Sequence, residues 1–243
     1  MSGTQSIATR RGFLQGLTLG LAAFTTPGLF AETLKTTAST TEGPFYPDKM
    51  PLDTDNDLLI LNDAITPAVG QVTHLTGRVL TVTAQPVRNA FVEIWQVDST
   101  ASYLHTGGRQ PSGNDANFQG YGRFLTDSKG QYYFRTIKPI PYTLQGAFRT
   151  AHIHMAISRN GKRVFTSQLL VKGLPENAKD GIVSRVSADA LATLLVDFKP
   201  VPGSKIGELS ANWEVVLGKT LEELEDGKLG GGVAISEVQR RRR

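Results

Sequence analysis

Residues Ala151–Ser158 read AHIHMAIS. The period is strictly two: His152 and His154 share one side of an extended chain, and Ile153, Met155 and Ile157 take the other. A strand of this kind has two different jobs on its two faces. Short β-like runs surround it. Thr73–Thr83 is rich in Val, Leu and Thr, Ala90–Val97 alternates and carries Trp95, and Gln131–Ile137 alternates aromatic with polar residues. Arg163–Val171 and Trp213–Leu217 complete the set, and Lys129-Gly130 and Asn160-Gly161 read as hairpin turns. Helical signal is confined to Ala188–Leu195 and Leu221–Glu225. The pattern predicts an all-β, antiparallel sandwich with long loops and little helix. Glu32 to Asp57 reads as a polar, extended arm, and the chain after Gly218 turns charged and glycine-rich.

Composition narrows the chemistry. The chain has 243 residues and no cysteine, which excludes disulfides, thiolate metal sites and a thiol nucleophile. Of 26 basic residues, six lie in the first 31 positions or among the last four; the remaining 20 face 22 acidic residues. The body is near neutral, so a nucleic-acid surface is not expected. No apolar run is long enough to predict a stable membrane anchor.

His152 and His154 place two imidazoles on one face about 7 Å apart along the strand, half of a metal site. The same spacing also serves a solvated face or a pair of core histidines. His74 and His105 are not obviously placed to join them, and between Gln131 and Lys179 Glu176 is the only carboxylate. The other candidate ligands are phenols: Tyr142, in the loop after Lys138-Pro139-Ile140-Pro141, and Tyr103, in the loop after Val92-Glu93-Ile94-Trp95. Free tyrosine ionises near pH 10, so a strongly acidic cation such as ferric iron is needed to hold it as tyrosinate at neutral pH. Two tyrosinates and a hydroxide would neutralise that ion.

With these residues in place, the chain resembles the intradiol ring-cleavage dioxygenases, non-haem ferric enzymes that open catechols between their two hydroxyls. The resemblance rests on TEGPFYP (41–47), Leu75-Thr76-Gly77-Arg78-Val79, Pro86-Val87, VEIWQVD (92–98), NFQGYGRF (117–124), TDSKGQYYFRTIKP (126–139), Tyr142 and FRTAHIHM (148–155). It implies Fe(3+) held by Tyr103, Tyr142, His152 and His154, with Tyr142 and His152 axial. It implies a small aromatic diol and O2 as substrates. Tyr142 would leave the metal as substrate binds, and Arg149 would stabilise the negative charge that develops. Gln168, Gly43 and Pro44 match pocket residues. The family usually has Gly where Ala84 and Ala101 stand and often Pro where Thr150 stands; alanine costs little there if φ stays negative. The layout is similar to a protocatechuate-dioxygenase subunit, without the helical dimerisation domain of catechol dioxygenases. Whether the chain forms a homo-oligomer is left open.

The alternative is a non-catalytic, transthyretin-like sandwich module, which the stretch GRVLTVTAQPVRNAFVEIW (77–95) also resembles. Trp95, Phe134 and Phe91 are expected as sandwich-core aromatics, and Tyr46, Tyr121, Tyr132 and Tyr133 as structural. At the other end, Thr9-Arg10-Arg11-Gly12-Phe13-Leu14 followed by a weakly apolar stretch resembles a twin-arginine export signal. The expected organisation is a signal over 1–31, a catalytic sandwich over 32–218 and a mobile tail over 219–243, with a periplasmic or secreted product.

Overall fold

The structure, a computed structural model, describes residues 33–61 and 65–218, together with the backbone of two short paired strands, Glu222–Glu223 and Leu229–Gly230. The chain divides between Thr33 and Leu34, and the architecture below is that of the unit beginning at Leu34. The signal expected over 1–31 lies outside the described residues, as does most of the tail. The helix expected over Leu221–Glu225 is contradicted at Glu222–Glu223, which form a strand.

In chain order the main strands are β1 (Val72–Thr81), β2 (Phe91–Trp95), β3 (Tyr121–Leu125), β4 (Gln131–Ile137), β5 (Tyr142–Leu144), β6 (Ala147–Arg149), β7 (His152–Arg159), β8 (Lys162–Val171), β9 (Leu195–Val196), β10 (Phe198–Pro200), β11 (Leu209–Asn212) and β12 (Val215–Leu217). One sheet runs β10-β11-β1-β12, with β4 also on β1; the other runs β3-β2-β7-β8-β9. β5 and β6 form a separate hairpin. The all-β sandwich is borne out, but its pairing is mixed: β1 lies parallel to both β11 and β12, and β8 parallel to β9. One helical turn, α1 (Ala188–Leu191), is all that forms of the expected Ala188–Leu195 helix. Its N-cap Ser187 accepts from the Ala190 amide, but Leu194 and Leu195 are drawn to the sandwich core and β9 instead.

Asn160-Gly161 is the hairpin turn expected, with φ of 49° and 72°, as a type I′ turn between β7 and β8 demands. Lys129-Gly130 is a turn but joins different sheets, because β3 pairs with β2 and β4 pairs with β1. Gly77 marks the point where β1 changes partner: a Cβ there would stand 2.0 Å from the Trp213 carbonyl and 2.5 Å from the Tyr132 hydroxyl.

The β2/β7 pair divides two apolar clusters. Val92, Ile94, Ile153, Met155 and Ile157 face the first sheet and pack with Leu75, Val79 and Phe134 in the sandwich core. Each such side chain contributes roughly 1.5–3 kcal/mol on burial. Trp95 and Ala156 point the other way, into a second cluster with Val97, Tyr103, Tyr121 and Tyr142. Trp95 is therefore not a sandwich-core residue, contrary to expectation. Nor is Phe91, which is 37% exposed and lies under the Arg123 guanidinium, 3.8 Å from its ring centre. Over this second face runs the extended arm. Its backbone is tied down by Thr37 N–H to Val216 O and Thr40 N–H to Thr166 O, which is why Thr37, Ser39 and Thr40 are buried despite their polarity.

Candidate metal centre

Three segments deliver four donor atoms to one point. β7 carries His152 and His154 on its outer face, and its central position between β2 and β8 fixes their spacing. The β5–β6 hairpin brings Tyr142, with Arg149 directly across the ladder. Tyr103 comes from the loop after β2, which a buried carboxylate organises. Asp98 accepts from the Thr100 and Ser102 amides and the Thr100 hydroxyl through one oxygen, and from the Asp115 amide through the other. Ala101, in that loop, has φ of 67°, and Ala84 has φ of 62°. The premise of negative φ at these two alanines is thus overturned. A left-handed L-residue costs roughly 1–2 kcal/mol.

Tyr103 Oη lies 2.9 Å from Tyr142 Oη, 3.2 Å from His152 Nε2 and 3.0 Å from His154 Nε2, and the two Nε2 atoms are 3.1 Å apart. Two donors each about 2.0–2.1 Å from one cation, about 90–110° apart, sit about 2.8–3.4 Å from each other. The spacing therefore fits a shared ion. The protonation pattern fits too. His152 Nδ1 donates to Thr150 O at 2.6 Å, so its Nε2 presents a lone pair. His154 Nε2 faces it, while His154 Nδ1 has no hydrogen-bond partner among the described residues. The His154 ring is fixed by Trp95, stacked with centroids 4.9 Å apart and planes 8° apart. Among the described residues no three His, Asp or Glu side chains gather for a metal; phenols complete the set.

The quartet is buried, and burial governs its acidity. It pushes the Tyr103 phenol well above its usual value, helped by the neighbouring Tyr142. Tyr142 is raised as well, again chiefly by burial. Burial, then the charge of Arg149, lowers His152 to about 3. His154 falls well below its ordinary value through burial, His152 and Arg149. Left alone, the four side chains are neutral. The imidazole lone pairs are free at neutral pH, whereas ionising the phenols requires an intense local positive charge.

Around the quartet, Arg149 donates from Nε to Asp180 at 2.9 Å and from Nη2 to Gln168 Oε1 at 2.5 Å. Gln168 Nε2 in turn donates to Thr41 O at 2.9 Å, joining the arm to the site. Gly43 has φ of +73°, and a Cβ there would meet His154 Cε1 at 3.3 Å; its neighbour Pro44 is exposed. Phe45 packs on Tyr103 with centroids 5.1 Å apart. Tyr46 and Tyr121 both donate to the buried carboxylate of Glu93. Sequence reasoning missed Asp180. It lies one residue beyond the Gln131–Lys179 stretch considered for carboxylates. Thr150 matters for the same reason: its amide donates to Asp180 at 2.9 Å, a bond the proline often found at this position would lack.

A family model described as Dioxygenase matches residues 41–218. The chain belongs to the intradiol dioxygenase family. The protocatechuate 3,4-dioxygenase beta chain of Burkholderia cepacia is 36% identical over 137 residues, covering 50% of this chain and 58% of its own. Catechol 1,2-dioxygenase 2 of Acinetobacter lwoffii is 31% identical over 153 residues, covering 57% and 52%. The match thus spans little more than half the length of these curated relatives. Among solved structures, catechol 1,2-dioxygenase from Acinetobacter sp. ADP1 superposes with a TM-score of 0.60 at 22% identity, over 90% of this chain and 81% of that one. That likeness shows the shared fold.

Proposed function

We propose that this intradiol-family chain is a ferric enzyme that cleaves a catechol-type ring between its two hydroxyl-bearing carbons with O2, giving a cis,cis-muconate-type product. The observation that carries the reading is the convergence of two phenol oxygens and two imidazole Nε2 atoms within 2.9–3.2 Å of one another. Tyr103, Tyr142, His152 and His154 would hold Fe(3+), which when bound would bind the diol through its oxygens and draw electron density from the ring. Two neutral imidazoles and two phenolates suit a trivalent ion, because its charge offsets the burial that keeps the phenols protonated. A transthyretin-like binding module leaves this quartet without a purpose.

The protein's own groups divide the remaining work. Tyr103 meets all three other ligands and stays in place. Tyr142 is on a two-stranded hairpin rather than in a central strand, and as a phenolate it takes the proton of a substrate hydroxyl. Thr150 O and Trp95 hold the two imidazole planes. Arg149, across the hairpin ladder from Tyr142, stabilises negative charge on the bound diol. Gly43 and Phe45 bring the arm against the ligands and restrict water. The test is ferric content of the purified protein together with oxygen uptake on a panel of catechols. About one iron per chain, a red to burgundy colour and ring opening of at least one catechol are expected. A colourless protein that refuses ferric iron on reconstitution would sink the reading. We also propose, from residues 9–14 alone, that the chain is exported by the twin-arginine route.

A further inference from the structure

β2 places a carboxylate where packing alone asks for an apolar residue. Glu93 is two residues before Trp95 on the same strand face, and it is buried. A carboxylate so placed costs free energy unless its oxygens are bonded, and three segments supply the bonds. Tyr46 of the arm donates to Oε1 at 2.8 Å, Tyr121 of β3 to the same oxygen at 2.5 Å, and Arg163 of β8 to Oε2 at 3.1 Å. Arg163 also pairs with Glu42 through Nη1, and its guanidinium carbon lies 4.9 Å from the centre of the Tyr46 ring. Burial, then Glu93, holds the Tyr46 phenol above its usual pKa, so it stays a donor. Two of the three links thus run to the arm, one at Tyr46 and one through Arg163 to Glu42.

Between those two grips lie residues that touch the candidate ligands. Gly43 lies against the His154 ring, where a Cβ would stand 3.3 Å from Cε1, and Phe45 packs on Tyr103. Tyr46 itself stands edge-on to Trp95, with centroids 5.0 Å apart and planes at 83°, and Trp95 is the ring stacked on His154. A strap from Glu42 to Tyr46, gripped at both ends by groups that converge on one carboxylate, covers the centre. We propose that Glu93 is a positioning residue that holds this strap shut, directly through Tyr46 and through Arg163 to Glu42, and thereby sets how fast metal leaves the four ligands. The metal half rests on the reading of the site as an iron centre; the closure of the strap does not. A chelator can take a bound ion only when its ligands are uncovered, so release tracks the population in which the strap has opened.

The test pairs two phenylalanine variants that each delete one bond to Glu93 Oε1. Only Tyr46→Phe cuts a tie to the arm; Tyr121→Phe leaves that oxygen wholly to Tyr46. In the full chain freed of metal, hydrogen exchange of the peptide over 41–48 reads strap opening. Tyr46→Phe should speed it by about 10- to 150-fold, the factor for one lost hydrogen bond to a charged group, and Tyr121→Phe should leave it as in wild type. Glu93→Gln, which turns an amide donor toward Arg163, should open the strap at least as far as Tyr46→Phe. In iron-loaded protein, transfer of ferric iron to an external chelator should quicken in Tyr46→Phe and Glu93→Gln and not in Tyr121→Phe. A merely structural Glu93 would make the two phenylalanine variants alike, and that result overturns the proposal. So does exchange that follows the expected pattern while iron release stays at the wild-type rate. Should Glu93→Gln fail to fold, the two phenylalanine variants decide the question. A chain that takes up no ferric iron sinks the reading of the site and the metal half with it, while the exchange comparison still decides whether Glu93 holds the strap.

Discussion

Single atoms decide what the centre does, and Tyr142 and Tyr103 are not equivalent. Tyr103 Oη touches the other three donors, whereas Tyr142 touches only Tyr103 among them. Tyr142→Phe should therefore retain much of the iron with an altered colour yet lose turnover by roughly 10²- to 10⁴-fold, the range for a positioned base. Iron assay with stopped-flow spectra checks this, and wild-type turnover would refute the assignment. The imidazoles make a second prediction. In metal-free protein His152 holds a proton only below about pH 3, while an unfolded histidine takes one near pH 6.5. Between these values the unfolded chain binds more protons, so stability rises with pH and is lost on acidification. Asp180 has its pKa lowered from 3.8: burial opposes this, but Arg149 and three backbone amides outweigh it. Its contribution is present above that value and disappears further down. Melting of chelated protein should fall steeply from pH 7 to 5, and less steeply in His152→Gln; equal slopes would show that His152 is not held neutral. The dyad was legible because two residues in a strand must share a face. Asp180 was not, because its partner Arg149 is 31 positions away and only folding joins them.

Elements differ in how openly the sequence announces them. β4 matches its predicted span, and β7 and β8 fall within a residue of theirs, because long alternating runs between turns leave few options. β5, β6, β9 and β10 have two or three residues each, too short for any period to register. Their pairing comes from what they pack beside, and so do the parallel contacts of β1. The loop from Asp98 to Tyr103 shows the same limit. Its departure from glycine at Ala101 was visible, but its backbone sign was not, since Asp98 imposes the turn through Ala101 N–H to Asp98 O. Ala101→Gly should relieve the left-handed cost of roughly 1–2 kcal/mol and give back about 0.5–1 kcal/mol in unfolded-state freedom. The net gain of about 0.5–1 kcal/mol corresponds to a melting rise of about 1–4 °C for a domain this size. A fall in melting temperature would mean the alanine methyl packs more usefully than its φ suggests.

At the scale of the molecule, one sheet separates stability from chemistry. Ile153 and Met155 belong to the sandwich core, and the histidines on either side of Ile153 belong to the centre. The proposed export makes its own prediction: replacing Arg10 and Arg11 with Lys should leave the precursor in the cytoplasm, followed by fractionation and immunoblot. Unchanged export would refute the twin-arginine assignment.

The arm that lies over the centre also orders events in time. Thr37 accepts from the Val216 amide, 179 residues later in the chain, and Ser39 donates to Thr166, 127 residues later. A ribosome makes the arm early and its anchorages late, at about 5–20 residues per second. Thr41 waits for Gln168, 127 residues later, so for roughly 6–25 seconds the nascent chain carries this stretch of the arm with that bond unmade. The cover over His154 is anchored through Gln168 Nε2 to Thr41 O, so it closes after β8 has emerged, and on the proposed reading metal can reach the ligands before the arm seals them. If the centre holds iron as proposed, starvation for iron during translation should leave more empty protein than starvation afterwards, measured as iron per chain in the purified protein.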